Sequence, residues 1–155
     1  MKPIFVSMMP KLYAMIPDEA KPRLCSDTKG ICALDEDDDY KLVAAAVMDT
    51  WSHNACQIHI YIDNPFILRH GFQEEVCGFI FGEASGRELV IGVTPSDNKK
   101  ALKFNRHMGM EEQHRIKDGY DKGIDYVVTT MRKQDCKWID HTPVQQELDL
   151  AVGGY

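Results

Sequence analysis

The clearest hydrophobic pattern in the chain is the alternation of apolar and polar residues over Cys56–Asp63. Ile58, Ile60 and Ile62 fall on one face, and mostly polar side chains fall on the other. A period of two is typical of a β-strand. Two further runs, Lys29–Asp35 and Tyr40–Met48, flank a cluster of acidic residues and predict a hairpin with an acidic turn.

Two helices are predicted after the alternating strand. Asn64 and Pro65 can begin the first one, as an N-cap residue followed by a proline in the first turn. Alternatively, a loop extends to His70 and the helix begins near Gly71. In both cases the apolar face repeats at helical spacing, through Phe72, Val76, Phe79 and Ile80.

The second predicted helix covers Asn98–Met108 and ends at Gly109, because glycine favours the left-handed conformation that closes many helices. The residues expected to face inward are Ala101, Phe104 and Met108. The short apolar run Glu88–Val93 precedes this helix. It predicts a strand that is buried on both faces.

The two ends of the chain complete the predicted order. Residues 1–22, interrupted by prolines, are interpreted as an arm with a short helix over Lys11–Ile16, and a last hairpin is expected from Glu111–Lys117 and Ile124–Arg132. Helices that alternate with strands in the centre require at least one parallel pair in a mixed sheet. We therefore predict an N-terminal arm (1–22), one domain (23–138) and a C-terminal tail (139–155).

Composition excludes several classes of function. The net charge is −6 and no basic stripe is visible, which argues against general nucleic-acid binding and favours a neutral or cationic partner. No apolar run approaches the roughly 18 residues of a membrane-spanning helix. Five scattered cysteines without a CxxC pair indicate reduced thiols, and no complete set of metal ligands is apparent. We expect a cytoplasmic protein without a metal site.

The segment TPSDNKKALKFNRHMGM and the order of elements together resemble the GNAT superfamily of acyl-CoA-dependent N-acetyltransferases. The features that carry the resemblance are Asn98, Ala101 and Gly109 after a buried strand, followed by a final hairpin. The resemblance covers roughly residues 29–138 and looks most like small members encoded by bacteriophages. It implies an α/β (α+β) fold, with a mixed, centrally splayed sheet flanked by helices.

The same resemblance implies acetyl-CoA as co-substrate. Its pantetheine arm is expected beside Tyr61 and Ile62 of the alternating strand, and beside Asn98 and Ala101. Its diphosphate is expected at the start of the following helix, where free N–H groups and the helix dipole favour anions. The family's glycine-rich turn corresponds here to Leu68-Arg69-His70-Gly71-Phe72-Gln73, which keeps one glycine. The cofactor contacts expected there are Arg69, His70, Gly71 and Phe72.

The implied reaction is direct attack of a primary amine on the thioester. His59, in the middle of the strand on its polar face, is the candidate base, and a packed strand histidine is the alternative. Many family members protonate the leaving thiolate with a tyrosine, but Asn105 occupies the matching position. Tyr61 is therefore the candidate acid.

Other functions remain open from the sequence. A catalytically inactive GNAT-like protein that binds a ligand or is associated with virions would agree with Asn105 and the single glycine. An interaction domain without any cofactor is a third reading. The amine acceptor, protein or small molecule, is not identified, and homodimerisation stays open.

Overall fold

Seven β-strands form a single mixed sheet in the computed structural model, which describes residues 1–141. In chain order they are β1 (Pro3–Ser7), β2 (Lys29–Asp35), β3 (Lys41–Asp49), β4 (Ala55–Ile62), β5 (Leu89–Pro95), β6 (Glu111–Asp121) and β7 (Ile124–Arg132). Their order in the sheet is β1-β2-β3-β4-β5-β7-β6. Neighbouring strands are antiparallel except β4 and β5, which are parallel.

The helices cover both faces of the sheet. They are α1 (Pro10–Ala14), α2 (Phe72–Phe81) and α3 (Lys99–Met108), with short 3₁₀ helices at Asp18–Ala20, Glu36–Asp38, Pro65–Arg69 and Lys133–Asp135. Buried residues of α2 and Met108 of α3 belong to the larger core cluster. Leu12 of α1 belongs to a smaller cluster formed with other residues of β2 and β3. This is the predicted α+β architecture, a centrally splayed sheet flanked by helices.

Strand β1 is an element that the sequence analysis did not predict. It pairs with β2 over its whole length, from Pro3 opposite Asp35 to Ser7 opposite Ile31. Proline is tolerated in a strand at the edge of a sheet, where one row of backbone groups has no partner. The short helix predicted over Lys11–Ile16 is present as α1. The division into arm, domain and tail stays a prediction, and most of the tail lies outside the described residues.

The start of α2 follows the second of the two alternatives, in which a loop precedes a helix that begins near Gly71. Asn64 accepts a hydrogen bond from the N–H of Phe66 at 3.0 Å and caps the short 3₁₀ helix Pro65–Arg69. Gly71 then adopts φ +85°, a left-handed conformation that suits glycine, and α2 begins at the next residue. The turn therefore separates two helical segments, each with its own start.

Two predictions of burial were wrong in part. Met108 of α3 is buried as predicted, but Ala101 and Phe104 are only half-buried, and Leu102 and Asn105 complete the buried stripe. Strand β5 is not covered on both faces, because its buried and half-buried residues alternate. The physical reason is the same in both cases. The sheet opens beside the second half of β5, and Ala101, Phe104, Val93 and Pro95 line that opening.

Asp35 ties the edge strand to the acidic turn. Its side chain accepts hydrogen bonds from the N–H groups of Lys2 (2.9 Å) and Asp37 (3.1 Å). The bond from Lys2, followed by that from Asp37, lowers the pKa of the Asp35 carboxyl below its usual value, although burial opposes this change. A carboxylate whose pKa is lower in the folded state stabilises the fold above its unfolded pKa of about 3.9. That contribution is lost as the pH falls through the folded pKa.

We therefore expect Asp35→Asn to destabilise the protein at pH 7, and the difference from wild type to shrink as the pH is lowered below about 4. Urea unfolding at a series of pH values measures this. Asp38→Asn, at an exposed position of the same turn, is the matched control and should change little. A loss of stability for Asp35→Asn that is independent of pH would contradict the assignment.

Candidate functional site

A groove opens in the centre of the sheet, where β4 and β5 separate. The two strands pair only over Ala55–Gln57 and Leu89–Ile91, and beyond these residues they diverge. The groove has a volume of about 470 Å³ and is lined by both strands, by α3, by Tyr120 and by residues 19–22. This volume lies within the usual range for ligand sites.

The edge of β4 that faces the groove carries backbone groups that pair with no other strand within residues 1–141. From Ile58 to Ile62 the strand pairs with β3 on its other side, and β5 no longer reaches it. Unpaired N–H and C=O groups next to a cleft can bind the amide groups of an extended ligand, as in the addition of a strand. A larger cavity of about 800 Å³ lies between β1, β2 and α2, but none of the predicted site residues lines it.

His59 lies on β4, lines the groove and is paired with a buried acid. Its Nε2 atom is 3.0 Å from Oδ2 of Asp49, the last residue of β3. The side chain of His59 is 35% exposed and that of Asp49 only 8%. Asp49 also accepts a hydrogen bond from the hydroxyl of Thr50 at 3.1 Å. The imidazole therefore has one ring nitrogen bound to a carboxylate.

Helix α3 contributes two amide side chains to the groove, and both are engaged in the fold. Asn98 caps α3, because its Oδ1 accepts a hydrogen bond from the N–H of Ala101 at 3.1 Å. Asn105 donates from Nδ2 to the hydroxyl of Thr94 on β5 at 3.1 Å. Asn98, Ala101, Asn105 and Thr94 all line the groove. Neither side chain can protonate a thiolate, because a carboxamide N–H is far less acidic than a thiol.

The remaining predicted cofactor residues lie outside the lining of the groove. The hydroxyl of Tyr61 donates to Asp63 at 3.3 Å, and its ring packs against the smaller core cluster. Burial, with the nearby Asp63 carboxylate as the next cause, raises the pKa of Tyr61. Ile62 packs against the larger core cluster. His59, Asn98 and Ala101 thus line the groove together, whereas Tyr61 and Ile62 are not among its lining residues.

The predicted diphosphate contacts surround the turn before α2. Arg69 is exposed, with its guanidinium carbon 5.5 Å from the centre of the Phe66 ring, and His70 is exposed as well. Phe72 is only 1% exposed and its ring lies 6.4 Å from that of Phe5. The side chain of Phe72 is therefore not available to a ligand. A diphosphate at this turn stays a prediction.

The first turn of α2 contains two carboxylates, Glu74 and Glu75. Acidic side chains at this position stabilise a helix through its dipole. The same charges oppose the binding of an anion at the helix start. The basic side chains of Arg69 and His70, directly before the helix, have the opposite effect.

Sequence reasoning missed several residues of the groove region, among them Asp49, Glu19 and Tyr120. Asp49 carried no signal of its own, because its proximity to His59 depends on how β3 pairs with β4. Glu19 and Tyr120 line the groove from segments that were interpreted as an arm and a loop. The ring of Tyr120 meets that of Tyr126 edge to face, with the centres 5.8 Å apart.

No protein-family model matches the sequence, and no curated protein matches it. Solved structures do match over most of the chain. A spermidine/spermine N-acetyltransferase from Vibrio cholerae superimposes with a TM-score of 0.68 at 7% identity, covering 86% of this chain and 94% of that one. A putative acetyltransferase of the GNAT family from Desulfovibrio desulfuricans gives 0.66 at 12% identity, covering 84% and 99%.

The chain has the fold of a GNAT acetyltransferase. A ribosomal-protein-S5-alanine acetyltransferase from Vibrio fischeri also has this fold, with a TM-score of 0.58 and 15% identity over 71% of this chain and 64% of that one. Identities this low establish the GNAT-like fold alone. None of the helices within residues 1–141 is long and apolar enough to cross a membrane. The same residues contain no group of three or more side chains arranged to hold a metal ion.

Proposed function

We propose that the protein is an N-acetyltransferase, which transfers the acetyl group of acetyl-CoA to a primary amine by direct attack. The observation that carries this proposal is the groove itself, where an unpaired strand edge runs beside a histidine bound to a carboxylate. The GNAT-like fold supports the reaction class. The thioester of acetyl-CoA would supply an acetyl group that a neutral amine can attack.

The proposed binding mode uses the residues predicted from the sequence. The arm of acetyl-CoA would run between β4 and β5, close to the backbone of Tyr61 and Ile62 and to Asn98 and Ala101. The NH₂ group of Asn98 is not used by the helix cap, since the cap bond involves its oxygen. The diphosphate would lie near Arg69, His70, Gly71 and the N–H of Phe72.

His59 is proposed to accept the proton that the attacking amine loses. The leaving thiolate gains a proton, and two tyrosines are candidates to supply it. Tyr61 is the one proposed from the sequence, but its hydroxyl is bound to Asp63 outside the groove. Tyr120 lines the groove and is 56% exposed. Tyr120 is favoured for this role because it lines the groove, whereas Tyr61 does not.

The charges along the groove favour a cationic amine as acceptor. Glu19 and Asp97 line the groove, are exposed, and form no ion pair with another residue of the described chain. The lysine that lines the groove, Lys21, is paired with Asp18 at 3.2 Å. One structural neighbour is named as a spermidine/spermine N-acetyltransferase, and a polyamine is accordingly the first acceptor to test.

Binding of acetyl-CoA tests the proposal directly. Acetyl-CoA at 100 times its dissociation constant is expected to raise the free energy of unfolding by about 2.7 kcal/mol, because it binds only the folded state. Thermal unfolding and calorimetry measure this, with free acetate as the control ligand. A second assay follows the release of free CoA thiol with a panel of amines. No stabilisation at millimolar acetyl-CoA would contradict the proposed function.

A second candidate function is a GNAT-like binding or virion-associated protein without turnover. Asn105, which stands on α3 where many family members have a tyrosine and is bound to Thr94, favours this candidate. It predicts that acetyl-CoA binds and that no amine releases CoA. A cytoplasmic location, a bacteriophage origin and a homodimer stay predictions.

A further inference from the structure

Asp49 and His59 form a pair across two neighbouring strands, directly beside the groove. Val47 lies opposite His59 in the β3–β4 register, and Asp49 lies opposite Gln57. Residues two apart in a strand point to the same side of a sheet, so Asp49 is the diagonal neighbour of His59. The distance of 3.0 Å between Oδ2 and Nε2 is that of a direct hydrogen bond.

Because Asp49 is buried, loss of the contact with His59 would leave its carboxylate with fewer hydrogen bonds and would destabilise the fold. Its side chain is 8% exposed, and its partners within residues 1–141 are the hydroxyl of Thr50 and the ring of His59. A buried carboxylate is tolerated when hydrogen bonds or charges compensate for its lost hydration. His59 therefore provides half of the hydrogen bonds that hold Asp49 in place.

The chemistry of the carboxylate determines which ring nitrogen carries the proton. An ionised carboxylate can only accept hydrogen bonds, and a neutral imidazole has one N–H and one lone pair. The bond to Oδ2 thus places the N–H on Nε2 and leaves the lone pair on Nδ1. Nδ1 has no hydrogen-bond partner among the described residues, and His59 lines the groove.

We infer that Asp49 is a positioning residue, which holds His59 with Nε2 protonated so that Nδ1 can accept the proton of the acceptor amine in the groove. The role of Nδ1 rests on the proposed acetyl transfer, whereas the state of the ring does not. When Nδ1 takes up the proton, the imidazole becomes a cation next to the Asp49 carboxylate, which stabilises it. A base oriented by a third group is a recurring arrangement in enzymes.

Nuclear magnetic resonance of the ¹⁵N-labelled full chain tests the state of the ring without any activity. The expected result for wild type, at a pH where His59 is neutral, is an N–H on Nε2 that exchanges slowly enough to be observed. In Asp49→Ala this proton signal is expected to disappear, because the hydrogen bond that protects it is gone. A proton on Nδ1 in wild type, or an unchanged signal in Asp49→Ala, would overturn the inference.

A double-mutant cycle tests the role of Asp49 in the reaction. Asp49→Asn is expected to lower kcat by at least about tenfold with little change in KM for acetyl-CoA. In a background that already contains His59→Ala, Asp49→Asn should lower kcat no further, because Asp49 acts through His59. Equal losses in both backgrounds would show that Asp49 is only structural.

Asp27→Asn provides a matched control. Asp27 likewise uses its carboxylate to accept a hydrogen bond within the fold, from the N–H of Trp51 at 3.1 Å, and does not line the groove. It should leave kcat unchanged, whereas a tenfold loss there would contradict a specific role for Asp49. A wild-type protein that releases no CoA with any amine would contradict the proposed function. The ring-nitrogen measurement would still decide whether Asp49 holds His59 as inferred.

Discussion

His59→Ala is expected to lower the rate of acetyl transfer at least about tenfold, and up to the 10²–10⁴-fold that general-base catalysis typically contributes. The smaller value applies if water in the groove partly replaces the imidazole. Acetyl-CoA affinity should stay the same, because the proposed cofactor contacts lie on other residues. Steady-state kinetics with the best amine of the panel, together with calorimetry, separate the two effects.

The pH dependence provides a second readout for His59. A base must be unprotonated to work, so the wild-type rate is expected to fall on the acidic side of its profile, and His59→Ala should lose this limb. His53→Ala, at an exposed loop position, is the matched control and should behave like wild type. Full activity and an unchanged profile in His59→Ala would mean that the imidazole is structural and that water removes the proton.

Phe72→Ala is expected to cost about 3–5 kcal/mol of folding free energy, the usual range for deleting a fully buried phenylalanine ring. Phe72 is 1% exposed, belongs to the larger core cluster and stacks against Phe5 of β1. The change leaves a cavity where α2, the edge strand and the sheet meet. Urea unfolding measures the loss of stability.

The same variant tests how Phe72 takes part in cofactor binding. If only its backbone N–H contacts the diphosphate, then Phe72→Ala should bind acetyl-CoA nearly as well as wild type wherever the protein is folded. Phe66→Ala, whose ring is 60% exposed, is the matched control and should cost less than about 1 kcal/mol. A loss of affinity in Phe72→Ala far greater than its fraction of unfolded protein would show that the ring itself is needed.

Hydrophobic patterning predicted the central elements closely. The bounds of β2 and β7 agree with the predicted runs, and β4 is displaced by one residue from Cys56–Asp63. These elements are defined locally, by alternation between turn residues. β1 was missed because its edge position, which tolerates Pro3, follows from a partner strand about 30 residues away in the chain.

The contents of the candidate site were harder to predict than its place in the fold. The resemblance to the GNAT superfamily, which rests on the order of elements and on the segment around Asn98, placed a gap next to β4. Which side chains reach that gap depends on the register of the strands and on the rotation of α3 about its own axis. Local hydrophobic spacing predicts neither of them. The link between Asp49 and His59 follows from register alone, and the buried stripe through Leu102 and Asn105 follows from how α3 lies on β5.

The two halves of the sheet meet over only three residue pairs, between Ala55–Gln57 and Leu89–Ile91. Few backbone hydrogen bonds therefore hold β1–β4 to β5–β7, and side-chain packing in the larger core cluster, which contains residues of both halves, also joins them. A ligand that pairs with the free edge of β4 would act as the missing length of strand. Such a ligand would become part of the sheet, and its binding would join two halves that the polypeptide alone connects over a short length.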